Sequence, residues 1–585
     1  MTGPDDVVMK GPDDDDPPSG TPSAAPRGVR AAGRRAAVAS YLVALVLLFA
    51  LAFGARAIGL SGAVTEDEDQ WIARAGTFAN GLASQEWRRT YLTGHPGVTV
   101  MWLTTLTLGV DRTRPFERAN NAPDVTTVPD FLSALARARV PFAVLQAGLV
   151  VVAAVLAGRL LGATTGLVAG LLLAAEPFWA GVGPVVGMDG MLTGFLTISL
   201  LALLLACGSG VEAAPGLGRR VGWAVLAGGA FGLAFLSKTT ALFVSPAVGV
   251  LVLIASWHAW RSRAVGTGRA HRWWLVPLAL GGAWAISAML VVWLLWPVAW
   301  AAPIGTMVRA ITFSARLGGE PHAPGNFLLG EPIDDPGPLF YPVALAVRLG
   351  PGTTVGLLLL FVLGAVGSAR RVAWSLLVYV GLFLLLLMLA PKKVDRYLLP
   401  ILPALGVLAA IGWVEAAWRL SWERGHPGRP GWVTSPGRPG WPRSQRVTAL
   451  VLVGIFALGL QLWPLVQAGR YPLAAYNPLV GGVRTAERAI PVGWGDGLDV
   501  AAERIREMAG GQPVVTAIWS PLRVSFGAHA PGPVVSHQQI AQADFYIDYV
   551  HARQRKLTPR QLAGRQPDAV VTIGDVEYAR IYKLR

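Results

Sequence analysis

The chain holds a single cysteine, Cys207, in 585 residues. One thiol excludes an intrachain disulfide framework and any cysteine-rich metal site. Charge is scarce as well: Asp, Glu, Lys and Arg make up 15% of the residues, against about 25% in an ordinary soluble protein. With 53% of residues hydrophobic, the chain cannot cover itself with a water-compatible surface, and it reads as a membrane protein. Acids are fewer than bases, 35 against 50, for a formal charge of +15. Such a balance points to nucleic acid only where bases cluster on a soluble face. Here they sit mainly in short loops between apolar runs, where they act as topology signals. No nucleic-acid partner is expected.

Residues 1–37 lack an apolar run. Asp13 to Asp16, Pro17, Pro18 and the small-residue stretch to Gly28 bury too little to offset ordering entropy, so this segment is read as a disordered cytoplasmic tail. Arg27, Arg30, Arg34 and Arg35 then precede the run Val38 to Leu60. It is longer than a signal-peptide core and is read as a retained anchor. A helix needs about 20 apolar residues to span the hydrocarbon. Candidate spans lie at 38–60, 139–158, 163–181, 190–207, 221–237, 240–257, 274–298, 353–369, 372–390, 398–414 and 447–466. The expected fold class is an all-α polytopic membrane protein with about 11 transmembrane helices over 38–466.

Orientation follows from arginine placement. Arg219, Arg220, the segment 258–273, Arg370, Arg371 and the loop 415–446 fall on one side in an eleven-span count. That side is expected to be cytoplasmic, together with the N-terminus. The loops 61–138 and 299–352 and the C-terminus are then expected outside, with the chain multi-pass in the plasma membrane. Several cations break the rule by lying on the outer side: Arg88, Arg89, Lys238, Arg309, Arg316, Arg348, Lys392, Lys393 and Arg396. Cations kept where topology does not need them call for an anion, and membrane-lipid phosphates are the nearest. Snorkelling or pairing with loop acids is the plainer alternative.

Segment 467–585 differs in kind. Its apolar runs shorten to strand length at Val514 to Trp519, Phe545 to Val550, Ala569 to Ile573 and Tyr578 to Tyr582, with a helical stretch near Leu498 to Met508. A small extracytoplasmic α/β domain is expected. Its Gly493-Trp494-Gly495-Asp496-Gly497 run lacks the Lys-Ser/Thr of a phosphate loop and reads as turn or helix-entry glycines.

The residues able to carry chemistry gather on the outer side. Glu66-Asp67-Glu68-Asp69, directly after the first span, must shed lipid contact and needs water, a cation or a reactive partner. A partly desolvated carboxylate there can take a proton from an incoming hydroxyl; a solvated helix start is the plainer reading. His95-Pro96 lies further along the same loop. Asp189 stands at the mouth of the fourth span, as an N-cap or a site residue. Lys238 interrupts an apolar stretch of more than 30 residues, and Lys392-Lys393-Val394-Asp395-Arg396-Tyr397 separates the ninth and tenth spans. In loop 299–352, Glu320 and His322 are two potential metal ligands without a third.

The order of these elements resembles the polyprenyl-phosphate-sugar-dependent glycosyltransferases of the GT-C fold. Within them it is similar to the protein O-mannosyltransferase and lipid A aminoarabinose transferase superfamily (glycosyltransferase family 39). The resemblance is carried by Asp67 and Glu68 with Trp71 beyond, by His95-Pro96, Asp189, Leu236-Ser237-Lys238, and by Lys393, Arg396, Tyr397 and Pro400, over about residues 38–415. One departure is Gly97, where relatives usually carry a further proline.

The resemblance implies an inverting glycosyltransferase that moves a sugar from a polyprenyl phosphate to a protein, lipid or glycan hydroxyl outside the membrane. Asp67 is expected to act as general base. Glu68 and Asp189 would orient the base, bind sugar hydroxyls or hold a divalent cation, and no cofactor is certain. His95, Lys238, Lys392, Lys393, Arg396 and Tyr397 are expected to bind substrate, the cations neutralising the departing phosphate. A transporter or flippase of lipid-linked sugars is the alternative. Its binding groups would lie near the bilayer midplane, often on repeated halves, and no internal repeat is visible.

Overall fold

A computed structural model describes residues 27–60, 62–113, 131–211, 216–261, 275–322, 325–423 and 443–585. The expected tail up to residue 26, the basic stretch 262–274 and residues 424–442 of the basic loop lie outside the described residues. Two compact units are found, Met1–Val46 and Leu47–Arg585. The first helix, Arg27–Ala57, starts well before residue 38, where the anchor was expected to begin. The Arg/Ala-rich stretch ahead of the apolar run has high helix propensity and extends the anchor backwards.

Among the described residues nine helices are long and apolar enough to cross a bilayer: Arg35–Ala57, Phe131–Leu161, Met188–Ala206, Leu217–Ser237, Thr239–Trp257, Leu275–Leu295, Gly367–Leu389, Asp395–Leu420 and Val447–Ala468. Phe340–Arg348 and Pro351–Leu363 form a further pair bent by 110°. The expected third span, 163–181, is not one helix. It breaks into Ala163–Ala174 and Pro177–Val182 because Glu176-Pro177 stops the first piece and starts the second. Glu176 caps the new helix by accepting the Trp179 amide at 2.6 Å, and Pro177 takes the first helical turn, where its missing N–H costs nothing.

Among the described residues there are thus nine spans, or ten if the bent pair is one. Three ion pairs bring several helix ends together. Asp67 follows the first span and meets Arg396 at the head of Asp395–Leu420. Asp189 heads Met188–Ala206 and meets Lys238, which directly follows Leu217–Ser237. Arg348 meets Asp395. All of these residues therefore share one end of the layer. Phe131–Leu161, with its 31 residues about 46 Å long, leaves that end, so 163–182 must climb back to deliver Asp189.

Met188–Ala206 lies at the centre: every residue from Asp189 to Ala206 is buried, as expected of a helix apolar on all faces. Small residues let backbones approach elsewhere. A Cβ on Gly412 would lie 2.0 Å from the Gly356 carbonyl oxygen of the neighbouring helix.

The region after Val447–Ala468 carries a five-stranded mixed sheet. In chain order a short hairpin comes first in the outer loop, β1 (Asn326–Leu328) with β2 (Glu331–Ile333). The sheet then uses β3 (Thr516–Ile518), β4 (Val534–Ser536), β5 (Phe545–Tyr549), β6 (Ala569–Ile573) and β7 (Val576–Lys583) in the order β4-β3-β5-β7-β6. Strands β4 and β5 flank β3 in parallel, and β7 runs antiparallel to β5 and β6. The helix Leu498–Met508 falls where it was expected. Strand β4 was not expected, since its three half-buried residues give no periodic signal. The hairpin is tied to this region by the Leu329 amide on Ala489 O, by Arg555 on Gly325 O and by the Lys556–Glu331 ion pair at 2.9 Å.

Candidate functional site

The acidic run divides its members by direction. Asp67 occupies the N-cap position of the helix Glu68–Ala83 without capping it. The next residue points about 100° away around the axis, and Glu68 turns into the protein. Its side chain is fully buried. It accepts from the Thr65 amide and hydroxyl, from the Val186 amide, and from Arg139 Nε at 2.8 Å and Nη2 at 2.5 Å. Arg139 also donates to the carbonyls of Gly59, Leu60 and Ala63, so the pair fixes the whole entry loop. Glu68, expected beside Asp67 in the chemistry, is instead an enclosed anchor with its acceptor positions filled. The Asp67 side chain keeps 38% exposure and is the accessible one.

Asp67 Oδ2 accepts from Arg396 Nη1 at 2.6 Å. Arg396 Nε lies 3.6 Å from Asp189 Oδ2, and the other oxygen of Asp189 accepts from Lys238 Nζ at 2.6 Å. Lys238 also lies 4.3 Å from the centre of the Tyr397 ring. Four charges thus alternate in a chain, Asp67, Arg396, Asp189, Lys238, around a pocket of about 340 Å³ that Trp71 and Trp494 also line. Burial by itself would raise the Asp67 carboxyl, but Arg396, with Lys238 and Arg74 behind it, outweighs this and holds it below its ordinary value.

The histidine loop is locked onto this chain of charges. Gly97 adopts a left-handed conformation, φ 58°, and a Cβ there would sit 2.0 Å from the Trp71 ring. That close approach explains why glycine follows Pro96. The Gly97 amide donates to Ser237 O, Thr99 and Ser237 share a hydroxyl contact of 2.7 Å, and His95 Nδ1 lies 3.2 Å from Thr239 Oγ1. Burial, then Lys238, pushes the His95 imidazole down to about 3, so it is neutral at ordinary pH.

The two neighbouring lysines part company. Lys392 is half-buried, and its ammonium is lowered by burial and then by the cations Lys238 and Arg396. It therefore completes a cationic group with them. Lys393 caps the helix Gly367–Leu389, donating to Met388 O at 3.2 Å and to Ala390 O, with Asp335 at 4.0 Å. Lys393, expected to bind substrate, has its ammonium on the helix end while the residue lines the larger cleft. His95, Asp189, Lys238, Lys392, Arg396 and Tyr397 are brought together with Asp67 as expected.

Other residues of the site gave no signal in the sequence. Trp494 lies over Arg396, 4.6 Å from guanidinium to ring, delivered by the glycine run that reads as a plain turn. Gly495 must be glycine, since a Cβ would lie 2.3 Å from Val64 O in the entry loop. Beyond Arg396 and Trp494 opens a cleft of about 740 Å³, whose lining includes Glu66, His322, Asn326, His551 and Arg555. Burial and the neighbouring Asp67 charge raise the Glu66 carboxyl to about 7.

A divalent cation does not fit these residues. Among the described residues no group of three or more His, Cys, Asp or Glu is placed to hold a metal ion. Asp67 and Asp189 already have Arg396 and Lys238 for counter-charges.

The family model for dolichyl-phosphate-mannose-protein mannosyltransferase matches residues 131–296, the stretch that contains Asp189 and Lys238. The match agrees with the glycosyltransferase resemblance drawn from the order of motifs. No curated protein matches the chain. Similar solved structures include ArnT from Cupriavidus metallidurans bound to undecaprenyl phosphate, at 16% identity and TM-score 0.48 over 93% of this chain and 97% of that one. Another is the oligosaccharyltransferase AglB from Archaeoglobus fulgidus with an inhibitory peptide and a dolichol-phosphate, at 12% identity and TM-score 0.45 over 88% and 70%. The S. cerevisiae protein O-mannosyltransferase Pmt1-Pmt2 complex bound to the sugar donor covers 44% of this chain and 33% of its own, at 17% identity and TM-score 0.35. Each score lies below 0.5, so the chemistry is argued from the residues themselves.

Proposed function

We propose that the chain is an integral membrane glycosyltransferase that moves a sugar from a polyprenyl phosphate to an acceptor hydroxyl on the outer face of the membrane. The observation that carries this reading is the Asp67–Arg396 pair, set beside Asp189 and Lys238 in one small pocket, with Lys392 close by. A donor phosphate entering there meets Arg396, Lys238 and Lys392. As it recruits Arg396, it draws the guanidinium off Asp67. The carboxyl then loses the partner that held it down, and burial makes it a stronger base.

The step balances simply. Asp67 takes the acceptor proton as the acceptor oxygen bonds to the anomeric carbon. The bond from that carbon to the phosphate oxygen breaks, and polyprenyl phosphate leaves with its charge on the cations. In-line displacement inverts the configuration. Asp189 keeps Lys238 and Arg396 aimed at the phosphate, and neutral His95 can hydrogen-bond a sugar hydroxyl. The outer-face placement is supported by arginines at the opposite end of the layer, such as Arg219, Arg220, Arg370 and Arg371.

The test is transfer in proteoliposomes from a panel of radiolabelled polyprenyl-phosphate sugars. Label passing from one donor to a non-lipid product, with polyprenyl phosphate released, is the expected result. Labelled donor that crosses the bilayer intact, without transfer, would overturn the enzymatic reading in favour of a flippase.

A further inference from the structure

Among the described residues, four buried polar atoms on the lining of the large cleft have no hydrogen-bond partner: Arg396 Nε, which lies 3.6 Å from Asp189, and three others, Glu66 Oε1, His322 Nδ1 and His551 Nε2. Each of these three comes from a different part of the chain, the entry loop, the outer loop and the end of the sheet, and all three residues line the same cavity. A buried polar group without a partner costs about 1–3 kcal/mol. Three such groups on residues that line one cavity call for a ligand that satisfies them.

The cations around the cleft each have a partner. Arg348 is paired with Asp395 at 2.7 Å, Arg396 with Asp67 at 2.6 Å, and Lys393 is held by carbonyls. Arg555 has Glu66 as its principal counter-charge. The two histidines are neutral: burial lowers His322 to about 4 and His551 well below its ordinary value. A neutral imidazole can donate at one nitrogen and accept at the other, and a carboxyl near its midpoint can do either. Trp494, Phe178 and Phe340 add aromatic faces, and Asn326 a side-chain amide. Aromatic faces among neutral donors and acceptors fit a polyhydroxylated ligand.

We infer that this cleft is the acceptor subsite and that it takes a carbohydrate, with Glu66, His322 and His551 bonding its hydroxyls and Trp494 stacking on a ring. The inference rests on the glycosyltransferase reading for the word acceptor, but not for the ligand class. Arg396 and Trp494 line both this cleft and the smaller pocket, so a hydroxyl presented at their junction lies within the surroundings of Asp67.

The experiment is binding of the full-length protein, in detergent or nanodiscs, to an array of neutral glycans, with Glu66→Gln and His551→Gln as comparisons. The expected result is a signal on at least one glycan that falls tenfold or more in both variants. No signal on any neutral glycan, or one untouched by both substitutions, overturns the inference. Should sugar transfer to a peptide be measured while no glycan binds, the cleft belongs to a peptide and the carbohydrate assignment is wrong. An array signal lost in Glu66→Gln, with no transfer from any polyprenyl donor, would keep the subsite and sink the enzymatic reading instead.

Discussion

Arg396 holds the carboxylate of Asp67 at 2.6 Å across 329 positions of sequence, joining the loop after the first membrane helix to the head of the helix Asp395–Leu420. This pair keeps the carboxylate ionised and weakly basic until something competes for the guanidinium. Replacing Arg396 by Gln removes the charge that holds Asp67 down and leaves burial, which raises it. The base must be ionised to act, so the acid limb of the pH profile of kcat/KM should move to higher pH by about one unit or more. The cation lost from the leaving phosphate should lower kcat by about 10²–10³. A pH profile of the variant checks both.

Glu68 and Arg139 form an enclosed pair, and breaking it leaves a buried guanidinium without its partner. Glu68→Gln should destabilise the protein by about 3–5 kcal/mol, whereas replacing both residues with Met should recover most of that. Thermal unfolding of wild type and the two variants in detergent gives the comparison. Equal losses in the single and double variants would count against the anchor role.

Gly97→Ala places a methyl against the Trp71 ring at a positive φ. A cost of about 1–3 kcal/mol is expected from the backbone alone, more from the clash. Because Gly97 also ties the His95 loop to Ser237, next to Lys238, activity should fall further than stability does. Unfolding temperature and kcat measured on the same preparations separate the two effects.

Glu66 contributes a pH dependence of opposite sign to a paired carboxylate. Its folded value is about 7 against an ordinary 4.5, so the folded state holds the proton more tightly than the unfolded chain. Stability from this group is present below about 4.5 and is lost as pH rises through about 7. Glu66→Gln cannot ionise. It should therefore match wild type at the acid end of that window and exceed it above pH 7. Unfolding temperatures across this range, read as the difference between the two proteins, test the sign.

Much of the site was legible because its residues interrupt apolar runs. Lys238 and Arg396 stand where hydropathy predicts none, and Asp67 and Asp189 stand at helix heads on the same side. What sequence spacing does not carry is side-chain direction. Asp67 and Glu68 are adjacent, as are Lys392 and Lys393, yet a single step along the backbone turns the second of each pair onto structural partners, Arg139 for Glu68 and helix-end carbonyls for Lys393. Glu66 was passed over for the same reason, as one acid among four. Trp494 was invisible because its partner, Arg396, lies on a different element and only tertiary packing brings them together. The broken third pass was written in Glu176-Pro177, but counting apolar residues overrides such a signal.

The most direct test of the account is Asp67→Asn, which keeps the shape of the side chain and removes its basicity. Sugar transfer and donor binding would be measured together in proteoliposomes with the donor that wild type uses. The account predicts that transfer falls by about 10²–10⁴ while donor binding persists, as expected for a lost general base. Transfer at the wild-type rate would contradict it and move the base to another carboxylate.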